Sequence, residues 1–166
     1  MMVFRFISHG GKGSNWILMY SHDGIRDSLT NLAAPPLFYQ DLRRELARKK
    51  RNGGELMLLR LVLRKKGLEE AQASEYEKDI LEFGHALSTT SRSEDLCTRM
   101  GEYEFILLFS GEEVSATGFT SRLERLWNLK ERRLLILSSS IASLENETGL
   151  ELLNRLDHQV LTECSL

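Results

Sequence analysis

Cysteine and proline are scarce in this sequence, with two of each in 166 residues. Two cysteines, Cys97 and Cys164, cannot build a disulfide framework and suit a reducing compartment, so both are read as structural thiols. Charge of one sign is also lacking. A net charge of -2 and a pI near 6.1 leave no electrostatic footprint for nucleic acid or an anionic membrane surface. No long apolar run opens the chain, and Gly10-Gly11-Lys12-Gly13-Ser14 interrupts Met1 to Tyr20. That segment is neither a signal peptide nor a membrane span, and a soluble cytoplasmic protein is expected. The glycine-rich stretch is too short for a P-loop, and Ser138-Ser139-Ser140 has no G-x-S-x-G turn around it. His9, His22, His85 and His158 are scattered without metal-ligand spacing, so no cofactor is expected.

What is present is a globular pattern. Hydrophobic residues make up 42% and charged residues 28%, enough for one domain with a core and against disorder. Val3 to Ile7 and Trp16 to Tyr20 suggest an N-terminal hairpin or extension over residues 1–22. Pro35-Pro36 marks a helix start, with Phe38, Leu42 and Leu46 at helical spacing and Gly53-Gly54 at its end. Leu56 to Leu63 is an apolar run broken only by Arg60, the mark of a central strand covered on both faces. Tyr76, Ile80, Phe83 and Leu87 predict a second helix. Asp95 to Met100 and Phe105 to Phe109 form a β-hairpin around Gly101-Glu102-Tyr103-Glu104-Phe105. A helix from about Glu113 to Leu129 should turn Phe119, Leu123 and Leu126 inward. A strand from Leu134 to Ile141 and a helix carrying Leu150, Leu153, Leu156 and Val160 complete an α-β-α-β-β-α-β-α order. This order predicts an α+β domain with helices over a mixed, largely antiparallel sheet.

Four landmarks recur in a set order. Asp27-Ser28-Leu29-Thr30-Asn31-Leu32 resembles D-x-L-T-G-L, with asparagine at the glycine. Phe38 keeps the last position of N-R-R-x-F, Arg92-Ser93-Glu94-Asp95 matches R-x-x-D, and Arg99 to Phe105 resembles R-x-G-G-D/E-E-F. Together they resemble the GGDEF domains of diguanylate cyclases, which condense two GTP into cyclic di-GMP, over about residues 23 to 161. The resemblance implies a nucleotidyl-cyclase-like fold with a ferredoxin-like palm core, spanning 23–166.

Its departures matter as much. Aligned from the hairpin, Arg60 stands where the family carries a metal-binding aspartate, and Tyr103 at the hairpin's metal-binding acid. Glu102 replaces the second glycine, adding bulk and negative charge beside Gly101 where phosphate would approach. Leu68 and Glu77 stand at guanine-recognising positions, Lys65 keeps a phosphate-facing lysine, and the later A-K-x-x-G-R-N-R stretch does not occur. Catalysis, which needs divalent ions held by oxygen ligands, is therefore expected to be absent. Arg60, if beside Glu104, would stand in electrostatically for the metal; otherwise it sits at a strand end with its head in water. The R-x-x-D implies a cyclic di-GMP site built from Arg92 and Asp95, with Arg122 from the following helix as third contact and Arg125 one turn away. Arginine can reach guanine O6 and N7 at once, and aspartate can accept from the N1 and N2 donors. Two readings stay open: a cyclic di-GMP receptor with a protein partner and ligand-linked dimerisation, or a ligand-free interaction scaffold. On the second, Arg92 and Asp95 are a surface ion pair.

Overall fold

A computed structural model describes residues 20–67 and 72–163. The expected pairing of Val3–Ile7 with Trp16–Tyr20, apart from Tyr20, lies outside the described residues, as do Leu68 and Cys164. The elements run α1 (Pro35–Asn52), β1 (Leu56–Lys65), α2 (Ala73–Thr90), β2 (Leu96–Arg99), β3 (Glu104–Ser110), α3 (Glu113–Trp127), β4 (Leu134–Ala142), α4 (Gly149–Asp157) and β5 (Thr162–Glu163).

Local chemistry sets most of these boundaries. Proline at the start of α1 lacks a donor that a first turn could not use, and Gly53 ends the helix at φ 72°. Capping boxes start α2, through Gln72 and Glu75, and α4, through Thr148 and Glu151. The sheet order is β2-β3-β1-β4-β5, every strand pair is antiparallel, and a lone parallel bridge joins Ala33 to Thr98.

β1 is central and covered on both faces, as its sequence predicts. Met57, Leu59, Leu61 and Leu63 join the core under α2 and α3, whereas Leu56 and Leu58 join the one under α1 and α4. Each fully buried leucine or phenylalanine in these layers is worth about 1.5–3 kcal/mol of transfer free energy. Phe83 meets Phe105 and Trp127 edge to face, at 4.9 and 5.2 Å between ring centres. Arg132 lies 4.3 Å over the Trp127 ring and reaches Asp79 and Glu82, tying α2 to the turn after α3.

Three inward assignments are corrected. Leu126 is 44% exposed, and Trp127 takes the inner place, its indole N–H donating to the Leu134 carbonyl at 3.0 Å. The stripe therefore runs by fours from Phe119 through Leu123 to Trp127. Leu150 lies in the exposed first turn of α4 and Leu152 packs inside instead; Val160 falls beyond the helix end and is exposed.

Candidate functional site

The hairpin that joins β2 to β3 is fixed by one arginine. Arg99, in the buried β2, donates through Nη1 to both oxygens of Asp27 at 3.1 Å. Its Nε and Nη2 hold the carbonyls of Gly101 and Glu102 at 3.1 and 3.0 Å, so the guanidinium grips the hairpin tip. Asp27 also accepts from the Thr30 backbone N–H and hydroxyl, closing the turn around the D-x-L-T sequence. Asn31 adopts φ 57°, a left-handed conformation that asparagine tolerates better than most residues. Gly84 lets α2 approach this turn, since a Cβ there would lie 2.8 Å from the Thr30 Cβ. Tyr20 closes the outer side, donating to the Arg99 carbonyl at 2.7 Å with its ring 5.3 Å from the guanidinium.

The second arginine of this region has a different setting. Arg60 faces the α1 and α4 side of the sheet, donating to Glu104 at 2.6 Å and lying 3.8 Å from Asp157. Arg60 beside Glu104 is one of the two placements the sequence leaves open, and the structure takes it; Asp157, distant in sequence, carried no signal. Tyr103 points its ring to the opposite core, and its backbone carbonyl accepts from Leu63. Burial, with a smaller contribution from Glu102, holds its hydroxyl far above the ordinary phenol range. Phe105 is fully buried in that same core. Lys65 sets its ammonium 4.3 Å over the Tyr76 ring, and Glu77 is exposed on α2. The described residues contain no group of three His, Cys, Asp or Glu side chains able to hold a metal ion.

Arg92 and Asp95 sit on the turn before β2. The Asp95 carboxylate accepts from the Arg92 backbone N–H at 2.8 Å, closing the turn. Burial raises its carboxyl above the ordinary value, against the lowering effect of that hydrogen bond. The Arg92 side chain has no ion-pair partner among the described residues, and it opens onto a cavity of about 210 Å³. Arg44 and Arg48 of α1 line the same cavity with Asp41, Glu45 and Glu94. The two α1 arginines carried no sequence signal, because only the packing of α1 against β2 brings them there. Arg122 lies outside this cavity, exposed on α3 with its guanidinium over the Phe119 ring. Cys97 is buried, which pushes its thiol up to about 11, the setting of a structural cysteine.

No family model matches the sequence, and no curated protein does. Solved structures do match. The GGDEF domain of DgcB from Caulobacter crescentus, in complex with c-di-GMP, superposes with a TM-score of 0.68 at 18% identity over 89% of each chain. A microbial GGDEF domain with bis-(3′,5′)-cyclic di-GMP gives 0.70 at 19% identity, over 80% of this chain and 85% of that one. The diguanylate cyclase SiaD from Pseudomonas aeruginosa, in complex with its activator SiaC, gives 0.66 at 21% identity. That match covers 80% of this chain and 55% of SiaD, so the chain spans about half of that protein's length.

Proposed function

From the premise that this chain has the fold of a GGDEF domain, we propose that it is a catalytically inactive signalling domain that binds cyclic di-GMP through its R-x-x-D turn. One observation carries the reading: Arg92 presents a guanidinium with no ion-pair partner among the described residues, beside a cavity that Arg44 and Arg48, paired with Asp41 and Glu45, also line. Asp95 spends one oxygen on the turn, and its other oxygen is the acceptor for guanine N1 and N2. Arg122 joins only by extending off Phe119, so the nearer source of a third contact is Arg44 or Arg48, exchanging its α1 carboxylate partner for the ligand.

The donor set supports inactivity. Arg60 and Tyr103 bring a fixed cation and a phenol to the positions aligned with metal ligands, and Glu104 is already paired with Arg60. These residues do not fit Mg²⁺, which takes oxygen ligands in near-octahedral geometry. Incubation with GTP and Mg²⁺ or Mn²⁺ is expected to yield no cyclic di-GMP, and product formation would overturn that part.

Isothermal titration with cyclic di-GMP tests the receptor claim. Binding is expected at micromolar protein, weakened about 5- to 150-fold by Arg92→Ala, the range of a bidentate guanine contact. No heat above background removes the claim.

A second reading, a protein-interaction scaffold, rests on the apolar groove between α1 and α4. Tyr39, Leu46, Leu150 and Leu153 line it around about 460 Å³, and Leu150 is 68% exposed. Under this reading Arg92→Ala leaves the biological effect intact.

A further inference from the structure

The seam between α3 and β4 is polar where a helix laid on a sheet ordinarily packs apolar side chains. Thr117, Thr120, Ser121 and Glu124 recur at helical spacing along one stripe of α3. Ser138 and Ser140 share one face of β4, and the exposed Gln159, Thr162 and Glu163 complete the lining of an open cleft of about 380 Å³. Glu124 is only 6% exposed, yet its carboxylate, at the cavity wall, meets no hydrogen-bond donor or cation among the described residues. Its oxygens face the cleft rather than being sealed off, and the desolvation it still suffers, with Glu163 adding to it, is what a cationic partner would offset. The second acid, Glu163, adds its charge from β5 and is itself held by Arg64 at 3.3 Å.

The hydroxyls sharpen the chemistry. Thr120 donates its proton to the Ala116 carbonyl, Thr117 to Glu113 and Thr162 to Ser138. Their oxygens therefore offer lone pairs, and the two carboxylates can only accept. The serines and Gln159 can donate as well as accept, but the committed threonines and the two carboxylates weight the cleft toward acceptors and negative charge, which favours a cationic ligand rich in donors. The cleft is too roomy, and too poor in carboxylates, for a bare divalent ion.

We propose that this cleft binds a small aliphatic ammonium, with Glu124 as its counterion and the threonine oxygens accepting its N–H groups. Putrescine is the probe, and butane-1,4-diol is the control of the same length without charge. Titration of the full chain, followed by amide chemical shifts around Glu124 and Ser138–Ser140, is expected to saturate with putrescine and not with the diol. Glu124→Gln should weaken putrescine binding at least about tenfold, as loss of a charged hydrogen-bonding partner does. Thr120→Val, which removes only an acceptor, should weaken it less, and this variant keeps the test open if Glu124→Gln fails to fold. Equal responses to amine and diol, no saturation at millimolar putrescine, or unchanged binding in both variants would each overturn the proposal. Arg92→Ala should bind putrescine as the parent does, which separates this site from the dinucleotide site.

Discussion

Arg99 and Arg60 both pair with an acid from another part of the chain, yet their surroundings make them different devices. The Arg99 and Asp27 side chains are 2% and 0% exposed; Arg99 also holds the Gly101 and Glu102 carbonyls of the hairpin, and Asp27 also accepts from the Thr30 backbone N–H and hydroxyl. Arg60 and Glu104 are 19% and 35% exposed, with Asp157 nearby and water within reach. The hairpin's shape and the charge at its rim are therefore held by separate residues. The shape depends on a clamp that cannot lose one member without stranding a buried charge, whereas the rim pair can lose one to water.

The largest effect should come from breaking that clamp. Arg99→Leu strands the Asp27 charge in a dry site and should cost about 3–5 kcal/mol, read by urea unfolding. The double variant Asp27→Leu with Arg99→Leu removes both charges and should recover much of that loss, because no uncompensated ion remains. If Arg99→Leu cost no more than Arg60→Ala, the distinction between the two arginines would collapse.

Much of this molecule is legible in its sequence because its layers obey period. β1 announces itself as an apolar run, and α2 as a 4-3-4 spacing that buries Tyr76, Ile80, Phe83 and Leu87. The inner face of α3 was misplaced by one residue, since Leu126 and Trp127 both follow Leu123 at helical spacing and only packing chooses between them. Arg60 beside Glu104 was half legible: a cation in an apolar strand suggests an acid partner and the hairpin offers one, but a strand end with its head in water fits the same pattern. The Asp27 and Arg99 pair was not, although one lies in the D-x-L-T stretch and the other in the hairpin motif, because 72 residues separate them and no local pattern couples them. The polar seam was missed for the opposite reason. Thr117, Thr120, Ser121 and Glu124 look like a uniformly solvated helix face, and only the packing beside β4 withdraws Glu124 while leaving Thr117 and Ser121 exposed.

Arg60 gives the intermediate effect. Arg60→Ala should lower stability by about 1 kcal/mol, the upper end for a pair open to solvent. That corresponds to a fall in melting temperature of about 2–4 °C for a domain of this size. An unchanged melting temperature would mean that Arg60 is not an internal counterion to Glu104 and Asp157, and the comparison would reduce to one structural arginine and one solvated one.

The smallest effect tests the backbone of the same clamp rather than its charges. Asn31 has an exposed side chain, so its contribution lies in its φ of 57° and in the hydrogen bond from its N–H to the Asp27 carbonyl. Asn31→Ala keeps that N–H but places a Cβ against the backbone in the left-handed region, at a cost of about 1 kcal/mol. Asn31→Gly, the residue type of the related motif, relieves that crowding and differs from the parent by only a few tenths of a kcal/mol, since its added freedom in the unfolded chain offsets part of the gain. Urea midpoints of the two variants separate the effects. If glycine lost as much as alanine, the asparagine side chain itself would be holding the turn, and the clamp would include a residue that the distances around Asp27 and Arg99 do not assign to it.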